Sequence, residues 1–270
     1  MTGPARLPTI VPRAPHEPAP DLTDYVVVHR AMTVDVRRLA RAAQELAGRA
    51  DGPRARALRA YLAPVLGEIR SHHQVEDDVV WPLLGRAAGG AGAAVLAGLT
   101  DDHHELDQLL DGADMLAEGL AARPADGMLA GRLATCLTDM SALLDRHVAD
   151  EERDVFPLIR RHVRVEDYRW AQQRFRGNLD PRLLPFVVPW VLGHATPDER
   201  PAGPAQRCRL AAAGALRSVP RPVRGAVEAG VRVDPATAAP RCRCPWRARP
   251  ATRAPPLPRP ARRRRRTCRA

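Results

Sequence analysis

The pattern H-x3-E-[DE]-x2-V-[WF]-P-L-[LI] occurs twice in this chain, 75 residues apart. The first copy carries His72, Glu76, Asp77, Val80, Trp81, Pro82 and Leu84. The second carries His147, Glu151, Glu152, Val155, Phe156, Pro157 and Ile159. Residues four apart share one face of a helix, with Cβ atoms about 6 Å apart. Each copy therefore aims an imidazole and a carboxylate at one point. Burying a carboxylate is costly unless it is paired or bound to a cation. Two such helices, joined by histidines from two more, predict an inward-facing metal site in a four-helix bundle.

The rest of the chain supplies those helices. Asp21 can cap a first helix to about residue 49, with Tyr25, Val26, His29, Met32 and Val36 on one stripe. Asp51, Gly52 and Pro53 make a turn that suits a helix start. The second helix runs to about 86 and keeps Leu62, Val65, Ile69, His72, Glu76, Val79 and Leu83 in phase, with an early kink expected at Pro64. A break at 88–92 precedes a third helix over about 93–122. The turn at 123–127 leads to a fourth that ends near 162 and holds Leu137, Met140, Leu144, His147, Glu151 and Leu158 in phase. Short turns imply antiparallel neighbours. The expected fold is all-α: an up-down-up-down four-helix bundle over 21–165, after a flexible Pro-rich N-terminus over 1–20. Accessory helices over 166–200 complete it, at about 165–176 and 183–192.

Composition changes at residue 201. Residues 201–270 hold 18 Arg against Glu228 and Asp234, whereas 1–200 hold 24 Arg against 29 acids. The overall charge of +11 thus belongs to the tail, and the bundle is mildly acidic. Twelve prolines and the arginine run at 262–266 predict a disordered tail. It is either a genuine basic tail, able to touch nucleic acid or acidic lipid, or a frameshift product. The second reading fits a chain with no Lys and one Asn, the mark of a GC-rich and so bacterial gene. Cys136 is the one cysteine outside the tail, so no disulfide framework is expected. With no signal peptide and no spanning segment in view, the expectation is a soluble cytoplasmic protein.

The candidate ligands follow from helical phase. His72 is the i,i+4 partner of Glu76, and His73 lies about 100° round the helix, where it reaches inward or faces solvent. On the third helix, His103 shares a stripe with Leu99, Leu106 and Leu110. His104 shares one with Asp101, Asp107, Gln108 and Asp111, a solvated face. His103 is therefore the inward one, and Asp107 is a candidate for orienting a ligand, as are Asp77 and Glu152. His29 completes the four helices. His16, His162 and His194 receive no role. The metal set is His29, His72, His73, Glu76, His103, His147 and Glu151. Imidazole with carboxylate suits iron, with manganese or zinc less so, and the set is too large for one tetrahedral zinc. It fits two ions bridged by Glu76 and Glu151.

The segments HHQVEDDVVWPLL, DHHELDQLL and RHVADEERDVFPLI, with VVHRAM upstream, resemble the hemerythrin family, and most closely its bacterial HHE cation-binding branch. The resemblance covers about 21–165. It implies an oxo- or hydroxo-bridged pair of iron ions held by His29, His72, Glu76, His103, His147 and Glu151. It also implies binding or sensing of O2 or another small diatomic or peroxide ligand. Oxygen carriers of the family have a second histidine four residues after the first on the third helix; here that position is Asp107, and His73 is the replacement the resemblance suggests. The first reading is a non-enzymatic binder. One alternative is a di-iron redox enzyme acting on peroxide, NO or ferrous iron. Another is a regulatory bundle with a structural metal. Nucleic acid is a partner only if the tail is genuine.

Overall fold

The computed structural model describes residues 8–200. The tail over 201–270, expected to be disordered, lies outside the described residues. Within them the regular structure is helical, with no strand. Helix α1 spans Thr23–Gly48, α2 Gly52–Val75, α3 Trp81–Ala87, α4 Ala93–Ala122, α5 Gly127–His162, α6 Val165–Asn178 and α7 Leu184–His194. A π-helical turn, Glu76–Val80, joins α2 to α3, so the two run on as a single rod.

Local sequence explains the boundaries. Asp21 Oδ1 accepts the Thr23 N–H and hydroxyl, at 3.0 and 2.6 Å, just ahead of α1, whose N-cap position is Leu22 and not Asp21 as expected. Asp51 and Asp126 cap α2 and α5 by accepting the N–H groups of Arg54 and Leu129, each at 3.0 Å. Gly92, before α4, has φ 84°, and a Cβ there would lie 2.5 Å from Leu158 Cδ1, so only glycine fits. Helix α2 continues through Pro64.

In the bundle α1 packs on α2 and α5, and α4 packs on α2 and α5. The two copies of the repeated pattern thus sit on diagonally opposite rods. Two apolar clusters fill the interior. One is built from Ala31–Leu46 of α1, Ala55–Ile69 of α2, Leu106–Leu120 of α4 and Leu129–Leu144 of α5. The other holds Leu22 and Tyr25, Val75–Ala87, Leu96 and Leu99, and Val155–Val163. Each successive rod passes between them in the opposite sense, which is the up-down-up-down arrangement. The buried histidines and glutamates lie between the two clusters along all four rods.

The flanking segments are tied to this frame. Residues 8–20 carry no helix, but Arg13 N–H donates to the His162 carbonyl at 2.8 Å and Arg164 pairs with Glu17 at 2.7 Å. Residues 13–17 of the lead-in are thus tied to the end of α5 and the start of α6. Helix α6 packs on α2, and α7 packs on α1 and α2. Helix α7 is fastened by Asp35, a fully buried carboxylate of α1. Asp35 accepts Tyr61 Oη at 2.5 Å, Trp190 Nε1 at 2.6 Å and an Arg38 guanidinium N–H at 3.0 Å, with His194 Nε2 at 3.5 Å. Burial raises its pKa, but His194, Tyr61 and Trp190 outweigh that and hold it down to about 2. Beside it, Arg30 grips Glu199 at 2.6 and 2.8 Å and donates to the His194 carbonyl at 3.0 Å.

Candidate metal centre

The seven candidate ligands meet between the two apolar clusters. They form two groups: His29, His72, Glu76 and Glu151, and His73, Glu76, His103 and His147. Within each group one ligand atom from every residue lies within 4.8 Å of the others. All seven are buried, Glu76 and Glu151 completely.

On α1, His29 turns Nε2 to Glu151 Oε2 at 3.1 Å. On α2, His72 Nε2 lies 2.7 Å from Glu76 Oε1. The other Glu76 oxygen faces His103 Nε2 of α4 at 3.3 Å, and His103 Nε2 is 3.3 Å from His147 Nε2 of α5. His73 stacks on His103 with ring centroids 4.3 Å apart. Adjacent residues on a helix diverge by about 100°, and here His72 joins one group while His73 joins the other. The π turn begins at Glu76, the residue common to both groups. Such turns widen a helix by one residue and concentrate at functional sites.

Many of these close atoms lack hydrogen-bond geometry. His29 Nε2, His72 Nε2, both ring nitrogens of His73, Glu76 Oε2 and both oxygens of Glu151 are buried with no hydrogen-bond partner. Orphaned buried polar atoms are costly and rare. Here they are grouped in two places, made of nitrogen and oxygen donors, and sized for a cation. The donor set fits a bound metal.

The outward nitrogens tell the same story. His29 Nδ1 meets Glu152 Oε1 at 2.9 Å and His103 Nδ1 meets Asp77 Oδ2 at 2.9 Å, whereas His147 Nδ1 stands 3.7 Å from Asp102 Oδ2 and has no hydrogen-bond partner. Asp77 is itself held by the Thr100 hydroxyl at 2.9 Å. A carboxylate behind a histidine fixes the ring and leaves the inward nitrogen free to bind a metal.

Electrostatics divides the centre. Burial opposes charge on His29, but Glu151 and Glu152 hold its pKa up to about 10. Burial opposes charge on His103 likewise, and Asp77 and Glu76 raise it to about 10. His73 has no carboxylate behind it, and burial with its neighbouring imidazoles pushes it well below the ordinary range. Burial and the His103 and His29 charges take His147 down to about 4. Glu76 is held well below the usual carboxylate range against the effect of burial, by His72 and His103. Glu151 is pushed up by burial and by Glu76.

A profile of the hemerythrin HHE cation binding domain matches residues 22–159. The chain belongs to the hemerythrin HHE family. Comparison with curated proteins finds no match, and neither does comparison with solved structures.

Seen as a hemerythrin HHE bundle, the chain departs from the sequence reading at three points. Glu76 is common to both groups, but Glu151 joins one alone, because its carboxylate is drawn to His29 and stands 4.0 Å from His147 Nε2. Asp107 is exposed and orients no histidine. The carboxylate that α4 does supply is Asp102, beside His103, which phase reasoning passed over. Tyr25, read only as part of an apolar stripe, donates its hydroxyl to Glu76 Oε1 at 2.6 Å. Its signal was present: it precedes His29 by four, the spacing of both H-x3-E pairs.

Proposed function

We propose that the centre holds two iron ions and that the protein binds or senses O2 or a related small oxidant. The observation that carries this is the pair of four-residue donor groups joined through Glu76. One ion per group would give the inward orphaned donors a partner, and Glu76 has one oxygen beside each group. Imidazole and carboxylate together match iron, with manganese or zinc as weaker candidates. Ferrous iron in such a site supplies electrons and an open position to a small oxidant. The chain's own part is to hold His29 through Glu152 and His103 through Asp77 and to exclude bulk water with the two apolar clusters. A reducing cytoplasm, where ferrous iron is available, suits this role.

Among the described residues no helix is long and apolar enough to cross a membrane.

Elemental analysis of anaerobically loaded protein, followed by exposure to O2 under optical monitoring, tests the proposal. About two irons per chain and a stable oxygenated spectrum support it. Two irons with rapid turnover of peroxide or NO point instead to a redox enzyme. One ion or none, reproducibly, sinks the dinuclear reading.

A further inference from the structure

We propose that Tyr25 is itself a ligand, its phenol oxygen a fifth donor to the group of His29, His72, Glu76 and Glu151. This rests on the metal-binding reading above, but not on which small molecule the centre takes.

Three observations place the oxygen among the donors. Tyr25 Oη lies 2.6 Å from Glu76 Oε1, the same atom that His72 Nε2 approaches at 2.7 Å. The ring is wedged: it meets His29 at 4.9 Å, Phe156 at 5.1 Å and Phe175 at 5.8 Å between centroids, each edge to face. The residue is buried, so no water competes for the position. The phenol has no space to swing out when a cation arrives.

A cation changes the chemistry of such an oxygen. It draws electron density from Glu76, which becomes a poorer hydrogen-bond acceptor. It also strips protons from groups that can bind it directly. Coordination breaks the phenol O–H bond, forms an oxygen–metal bond and releases the proton to bulk buffer. The group then presents two imidazole nitrogens and three anionic oxygens, a hard set suited to a ferric ion. The other group presents three imidazoles and one oxygen of the shared Glu76, a set suited to a ferrous ion. Tyr25 thus makes the two positions unequal in the charge they prefer.

The test is to load the full chain with iron, oxidise it, and record visible absorption and resonance Raman spectra. The expected result is a phenolate-to-iron charge-transfer band with enhanced tyrosinate ring modes. Both should be lost in Tyr25→Phe and kept in Tyr61→Phe and Tyr168→Phe, which covers all three tyrosines. Should Tyr25→Phe fail to fold, the wild-type Raman spectrum with the other two variants still decides. Iron retained without tyrosinate modes, or modes that survive in Tyr25→Phe, overturns the assignment while leaving the iron reading intact. A wild-type chain that retains no iron overturns both.

Discussion

His103 and His104 are neighbours with opposite surroundings, one buried and the other exposed. A side chain that aims at the centre cannot be replaced by one rotated away from it. His103→Ala is expected to empty its half of the centre, and His104→Ala to leave the metal content unchanged, as measured by elemental analysis. Loss on His104→Ala alone would mean the register of α4 is wrong. Asp77→Asn should weaken metal binding by about 10–100-fold, because it loosens His103 without removing a ligand; competition with a coloured chelator reads this. Helical phase made His29, His72, His103, His147 and both glutamates legible, because one periodic stripe decides each. It did not decide His73, since a position 100° from the stripe faces inward only when the centre is wide enough to need it. Nor did it reveal Asp102 or Asp35, whose partners lie on other helices.

Asp35 carries a separate expectation. Its folded pKa, about 2, lies below the ordinary value of 3.8. Its contribution is therefore complete above about pH 4 and is lost as the pH falls toward 2. That amounts to about 2 kcal/mol at neutral pH. Asp35→Asn should lower stability by about this much at pH 7, and the gap to wild type should narrow at pH 3, by urea unfolding. An equal gap at both pH values would show that the charge is not what fastens α7.

The elements themselves were largely foreseeable, down to the bounds of α4. The exception was the second rod, where the π turn at Glu76–Val80 was not foreseen. Periodicity averages over several turns, so one inserted residue is invisible to it. The π turn lets Glu76 and Asp77 serve the centre while Val79, Val80 and Trp81 still enter the apolar cluster beyond. Deleting the exposed Asp78 should restore a regular helix and rotate those three away. The expected cost is about 3 kcal/mol or more, with loss of bound metal. Asp78→Ala should change stability by less than about 0.5 kcal/mol. Thermal unfolding of the two variants, with metal analysis, separates a need for the extra residue from a need for its charge.

At the scale of the whole molecule, both donor groups and both apolar clusters lie within residues 8–200. A chain ending at Arg200 is expected to keep the iron content and melting temperature of the full chain. A lower iron content would show that residues 201–270 contribute to the centre. The layered interior also bears on how metal could get in at all, since none of the seven side chains is more than slightly exposed. Two greasy halves are joined by a polar waist in which many inward donor atoms have no hydrogen-bond partner. The waist is then the seam along which the empty protein breathes. Amide hydrogen exchange around Glu76–Val80 should be fast before loading and slow sharply after it, as the ions sew the two halves together.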